Sequence, residues 1–185
     1  MKKPLTILIA LTIGLALSGW TSAKSAKSNY IVWDESRPLS WEDFRGAVNH
    51  SSHADAATAI HISAKPYRQK KKIYYVVDAC FVPDKSWSRE RSETLLRHEQ
   101  LHFDLAELYA RKVRKKISEF RQMGVRDIPE YNQAISKILA ESNAVDIRYD
   151  FETLHGTLPD RQSEWEKTIA LELEILKPFS RANWK

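Results

Sequence analysis

The chain has 185 residues, with 29 basic against 24 acidic side chains for a net charge of +5, and one cysteine. That length suits one domain with a full hydrophobic core. So mild a positive charge leads us to expect no nucleic-acid partner, and a lone cysteine excludes a fold held by intramolecular disulfides.

The N-terminus reads Met1-Lys2-Lys3, then an uncharged, mostly apolar stretch over 5–17, then the small polar residues Thr21-Ser22-Ala23. This is the pattern of a secretory signal peptide over 1–23, cleaved near Ala23. Its apolar stretch is too short to span a bilayer comfortably, since a spanning helix needs about 20 such residues. Leu17-Ser18-Gly19 resembles the approach to a lipoprotein cleavage site, but Trp20 stands where the acylated cysteine would be needed. The expectation is a periplasmic or secreted protein with no lipid anchor and no stable membrane insertion after cleavage. Loss of Lys2 and Lys3, two of the 29 basic residues set against 24 acidic ones, leaves the mature chain at +3. Residues 24–38 read as a flexible leader and first strand, and 39–185 as a single domain.

The first half carries β signals. Segments 30–33, 56–64 and 73–82 are rich in β-branched and aromatic residues, and the last two flank a polar 66–72 link as a hairpin would. The basic run 68–72 reads as a solvated turn, and His50 and His53 as surface imidazoles in a polar loop. Cys80 lies in an alternating apolar run, which predicts a buried thiol with no neighbouring base to activate it. The second half carries helix signals. One long helix is expected from about 87 to 122, stopped by Met123-Gly124. Asp127 and Pro129 open a second, with Ile128, Tyr131, Ile135, Ile138, Val145 and Tyr149 as its seam. A third begins near Asp160 and buries Trp165, Ile169, Leu173 and Leu176. Strands followed by helices predict an α+β fold, a small antiparallel sheet packed on about three helices.

Inside the first helix lies His98-Glu99-Gln100-Leu101-His102, an HExxH motif. Histidines four apart on a helix share a face and can bind one Zn²⁺, while the intervening Glu can act as general base toward a water. With six His in 185 residues, chance yields such a motif in on the order of one chain in a hundred, so context has to decide. On a 3.6-residue wheel Leu95, Leu101, His102, Leu105, Ala106, Leu108 and Tyr109 lie within about 80° of His98. Both imidazoles therefore face the interior, where they need partners. Asp104, Glu107 and Arg111 fall on the opposite, solvent side. The motif implies a zincin-like domain hydrolysing peptide bonds, with a peptide or protein substrate held by β-addition, for which strand 73–82 is the expected edge.

A catalytic zinc takes three protein ligands and keeps one open position. A third His of the metzincin kind is absent, because Leu105 and Leu108 occupy the positions of its Gly and His. His155, before Gly156, is the favoured third ligand, with Glu141 and Asp150 as alternatives. Asp150 or Glu152 would orient an imidazole from behind, and Tyr149 is a candidate oxyanion donor.

Several of these stretches also match a known family. Leu39-Ser40-Trp41-Glu42-Asp43-Phe44-Arg45-Gly46, Ala56-Ala57-Thr58, Lys85-Ser86-Trp87, the run from His98 to Arg111, and Tyr149-Asp150 through His155-Gly156 resemble the bacterial family known as domain of unknown function 922. The resemblance spans roughly 39–170. It implies a secreted or periplasmic zinc-dependent protease, imports no substrate, and favours His155 through the YDxxTxHG pattern. Two other readings compete: a zinc-stabilised envelope binding domain without catalysis, and a metal-independent interaction protein whose histidines are core residues. The sequence says nothing of oligomeric state. Mass determination of the exported protein is expected to place its N-terminus at or near residue 24, and a retained leader would count against the cleavage reading.

Overall fold

The computed structural model describes residues 30–70 and 72–184, so the expected signal peptide and residues 24–29 of the leader lie outside the described residues. The α+β expectation holds: small antiparallel sheets fill the N-terminal half and three long helices follow.

The strands are β1 (Ile31–Val32), β2 (Ala56–Ala57), β3 (Ile60–Gln69), β4 (Lys72–Phe81) and β5 (Trp87–Ser88). β3 and β4 form the hairpin, paired from Gln69↔Lys72 to Ile60↔Phe81 around a turn at Lys70, whose φ is +47°. The expected 66–72 link is mostly strand. Pro66 lies within β3 opposite Tyr75, and β3 is the edge of a β1-β4-β3 sheet, where a missing N–H is tolerated. Along β4 the side chains of Ile73, Tyr75, Val77, Ala79 and Phe81 are buried, every second residue, as a half-covered strand requires. β4 is not a free edge: β3 pairs it throughout and β1 covers its end at Cys80 and Phe81. Trp87, expected at the start of the long helix, instead joins β5, which pairs Ala57↔Trp87 and Ala56↔Ser88.

The helices are α1 (Glu93–Gln122), α2 (Ile128–Thr153) and α3 (Pro159–Ile175). Ser92 caps α1, its hydroxyl accepting the Leu95 N–H at 3.2 Å, so the helix starts later than its apolar pattern suggests. α1 is the central layer. Phe103, Ala106, Ala110, Val113 and Ile117 pack on Ile60, Tyr75, Val77 and Phe81 of the sheet. Leu101, Leu105 and Leu108 pack on Tyr149 of α2 and on Trp165 and Ile169 of α3.

Covered on both sides, the middle of α1 has no solvent face, and this overturns the wheel's assignment of Glu107 and Arg111. Glu107, Arg111 and Arg114 are all buried. Glu107 Oε1 accepts Arg111 Nε and Arg114 Nη1, each at 2.9 Å. The guanidinium donors left over reach backbone carbonyls: Arg114 Nη2 to Val77 O at 2.7 Å, Arg114 Nη1 to Phe179 O at 3.1 Å, and Arg111 Nη1 to Leu173 O at 2.6 Å. One carboxylate thus ties α1 to the sheet, α3 and the C-terminal turn. Cys80 is fully buried and burial pushes its thiol up to about 12, which agrees with an inert side chain.

Glu107→Ala leaves two buried guanidiniums without their carboxylate and is expected to lose about 3–5 kcal/mol, read as a lower urea midpoint. A loss below about 1 kcal/mol would show the network to be dispensable.

Candidate metal centre

α1 and α2 form an antiparallel hairpin across a short turn, where Gly124 takes φ +75° and Phe120 meets Tyr131 with ring centroids 5.3 Å apart. Antiparallel helices reverse the order of i,i+4 pairs, and the buried polar residues follow that rule. His98 meets Asp150 and His102 meets Asp146.

Three atoms converge. Asp150 Oδ1 lies 3.1 Å from His98 Nε2 and 3.1 Å from His102 Nε2, and the two ring nitrogens lie 3.3 Å apart. The far nitrogen of each ring faces an acceptor: His102 Nδ1 is 2.6 Å from Asp146 Oδ1, and His98 Nδ1 is 3.3 Å from Gln162 Oε1. In neutral rings those nitrogens carry the proton and both Nε2 atoms present lone pairs to the site, whereas an imidazolium donates from Nε2 to Asp150 Oδ1. His155 Nδ1 also approaches Asp150 Oδ1, at 3.4 Å. Four-coordinate zinc with bonds of about 2.0–2.1 Å sets its ligand atoms about 3.3–3.4 Å apart, so the spacing of the trio suits that ion.

Charge points the same way. Asp146, Asp150 and Glu99 are all buried, and among the described residues no Lys or Arg is bonded to any of them. Burial alone would lower the His102 pKa, yet Asp146 and Asp150 raise it well above its ordinary value. Burial would likewise raise the Asp150 carboxyl, and hydrogen bonds from His102, His155 and His98 hold it far below the carboxylate range. The pocket is built for positive charge. Glu99, next to His98 in α1, is buried and acts electrostatically on Tyr149 and His155, and its carboxylate has no hydrogen-bond partner among the described residues.

The third close donor is Asp150, weighed in the sequence only as an alternative. His155, the favoured one, stands at the rim: Nδ1 is 3.4 Å from Asp150 Oδ1 and its side chain is about half exposed. His98, Asp150 and His155 still present ligand atoms within 4.8 Å of one another. An unusual turn carries His155. Leu154, His155 and Gly156 take φ of +47°, +56° and +79° in succession, left-handed conformations that cost a side-chain-bearing residue about 1–2 kcal/mol each. The turn brings the His155 N–H to Asp150 O at 2.9 Å and lays Gly156 against His98, where a Cβ would fall 2.9 Å from His98 Cβ and Cγ.

Tyr149, the candidate oxyanion donor, points its hydroxyl into the protein. It is fully buried, its ring stacks on His98 at 4.7 Å, and its hydroxyl faces Gln162 Oε1 at 2.8 Å and His98 O at 3.2 Å. It positions the His98 ring. Glu141 is exposed and accepts from Tyr109 OH, and Glu152 accepts from Trp165 Nε1, so neither joins the cluster. Asp104 is turned away too, accepting from Trp33 Nε1 and Gln100 Nε2. Asp146 and Gln162 were missed. Asp146 had a signal, a second acid four residues before Asp150; Gln162, on another helix, had none.

Residues 82–156 match the family model described as Bacterial protein of unknown function (DUF922), which bears out the resemblance over the segment holding HExxH, Asp150, His155 and Gly156. No curated protein and no solved structure matches the chain.

Two glycine substitutions separate strain from contact. Gly156→Ala and Gly124→Ala both place a side chain at positive φ, but only the first meets atoms, Gly124 having nothing within 4 Å. Gly124→Ala is expected to cost about 1 kcal/mol. Gly156→Ala should cost clearly more in urea unfolding and also displace the His98 ring; equal losses would mean that the close approach to His98 carries no constraint.

Proposed function

We propose that the protein is an exported zinc-dependent metallopeptidase, with His98, His102 and Asp150 holding the metal and His155 beside them at the rim. One observation carries the reading: two imidazole nitrogens and a carboxylate oxygen from two helices converge at 3.1–3.3 Å, a spacing that suits one bound ion. A structural site would close on four buried protein ligands, whereas the next candidate ligand here is His155, about half exposed at the rim.

When bound there, zinc would supply Lewis-acid polarisation of a scissile carbonyl and a lowered water pKa. The chain's own residues do the rest. Glu99, adjacent to His98 in sequence and free of any competing hydrogen bond among the described residues, accepts the proton of the attacking water and passes it to the leaving amine. His155 turns one nitrogen to Asp150, which raises its pKa, and as an imidazolium it can donate from the other to oxygen developing negative charge. Tyr149 and Gly156 hold the His98 ring from its two sides. The substrate would be a peptide or an unfolded protein. Among the described residues no helix is long and apolar enough to cross a membrane.

Elemental analysis of the purified chain should give about one zinc per molecule. Glu99→Gln should keep that zinc and lose at least about 100-fold in cleavage of an unfolded protein, the lower range for a general base. Unchanged cleavage, or loss of the metal in that variant, would remove Glu99 from its assigned role. A fully active His155→Ala would exclude His155 from the chemistry.

A further inference from the structure

The two histidines of the cluster are held unequally. His98 is backed by a neutral amide, Gln162 Oε1 at 3.3 Å, which also accepts the Tyr149 hydroxyl at 2.8 Å. His102 is backed by a carboxylate, Asp146 Oδ1 at 2.6 Å, a short contact to an ionisable acceptor. Asp146 is 3% exposed, and its second oxygen, Oδ2, is buried with no hydrogen-bond partner. A buried carboxylate oxygen left unpaired is a liability of a kind folded proteins almost always remove, by adding a donor or by replacing the acid with its amide. An asparagine at this position would accept the same ring proton and carry no charge. The charge itself therefore needs a reason.

Resting on the metal-centre reading above, we infer that Asp146 is the residue that sets metal affinity, by making His102 the stronger of two unequal histidine ligands. A carboxylate on Nδ1–H fixes the tautomer, aims Nε2 at the site and raises the electron density that Nε2 offers a cation. Gln162 fixes the His98 tautomer without adding charge, and it comes from α3, so it also ties that helix to the site. Asp146 touches neither substrate nor metal; it is a positioning residue.

Zinc affinity is measured on the full exported chain by competition with a fluorescent chelator, and the Co²⁺ absorption spectrum is recorded alongside. Asp146→Asn should weaken zinc binding by about 10–100-fold, the usual effect of removing such a partner. Gln162→Leu should weaken it less. The melting temperature of the metal-free Asp146→Asn protein should stay close to that of the parent, while the rise produced by added zinc shrinks. The Co²⁺ bands should weaken or shift in Asp146→Asn. A charge-conserving swap, Gln162→Glu with Glu166→Gln, transfers the carboxylate to the His98 side and should recover several-fold of the affinity lost in Asp146→Asn. Unchanged affinity in Asp146→Asn, an equal or larger effect from Gln162→Leu, or no recovery by the swap would each overturn the inference while leaving the metal centre standing. A parent chain that takes up no metal would overturn both.

Discussion

The antiparallel register between α1 and α2 is the constraint on which the candidate site depends. His98 opposite Asp150 and His102 opposite Asp146 are two rungs of one ladder, and a shift of α2 by a single residue would rotate both acids about 100° off the facing surface. The register is held at both ends of the hairpin. Phe120 meets Tyr131 near the turn, Tyr109 bonds Glu141 midway, and Tyr149 lies between the His98 ring and Trp165 at the far end. Tyr149 thus belongs to the packing of the apolar core and to the aiming of a ligand ring at once.

Charge is buried in two places along α1, and the two are resolved differently. Around Glu107 the protein supplies its own cations: Arg111 and Arg114 meet the carboxylate and spend their other donors on backbone carbonyls. That network is complete and binds layers together. Around His102 two buried acids, Asp146 and Asp150, meet two imidazoles, with no Lys or Arg bonded to either acid among the described residues. Burying charge without a partner is strongly unfavourable, so the positive charge of this cluster comes from the imidazoles themselves, His102 above all, or from a cation that takes the place of their protons. The contrast within one helix argues that this deficit is a property of the site and not a general looseness of the core.

Backbone strain follows the same geography. Three successive left-handed residues end α2, two of them bearing side chains, and they place His155 over Asp150 and Gly156 against His98. Strain of this kind persists where surrounding structure over-determines it, and such places are commonly ligand clamps. Thr153 helps hold it, its hydroxyl donating to Tyr149 O and accepting the Gly156 N–H.

Much of the local structure was legible in the residues. HExxH on a helix with both rings inward, the α+β order, the stop at Gly124, and the special turn marked by Gly156 all follow from short-range rules of periodicity, capping and motif spacing. What failed depended on neighbours distant in sequence. Glu107 and Arg111 looked solvated because a wheel describes one helix and cannot see a sheet and two helices closing on it from opposite sides. Pro66 looked like a link because its tolerance in a strand depends on which strand is the edge. Asp150 came to stand between the two histidines with His155 at the rim, Tyr149 turned inward, and Asp146 and Gln162 joined the cluster, each through the way α2 and α3 dock on α1. Local rules were enough to put two histidines and a glutamate on one helix; what stands across from them was settled by packing, because helix periodicity sets which side chains share a face and docking alone sets which faces meet.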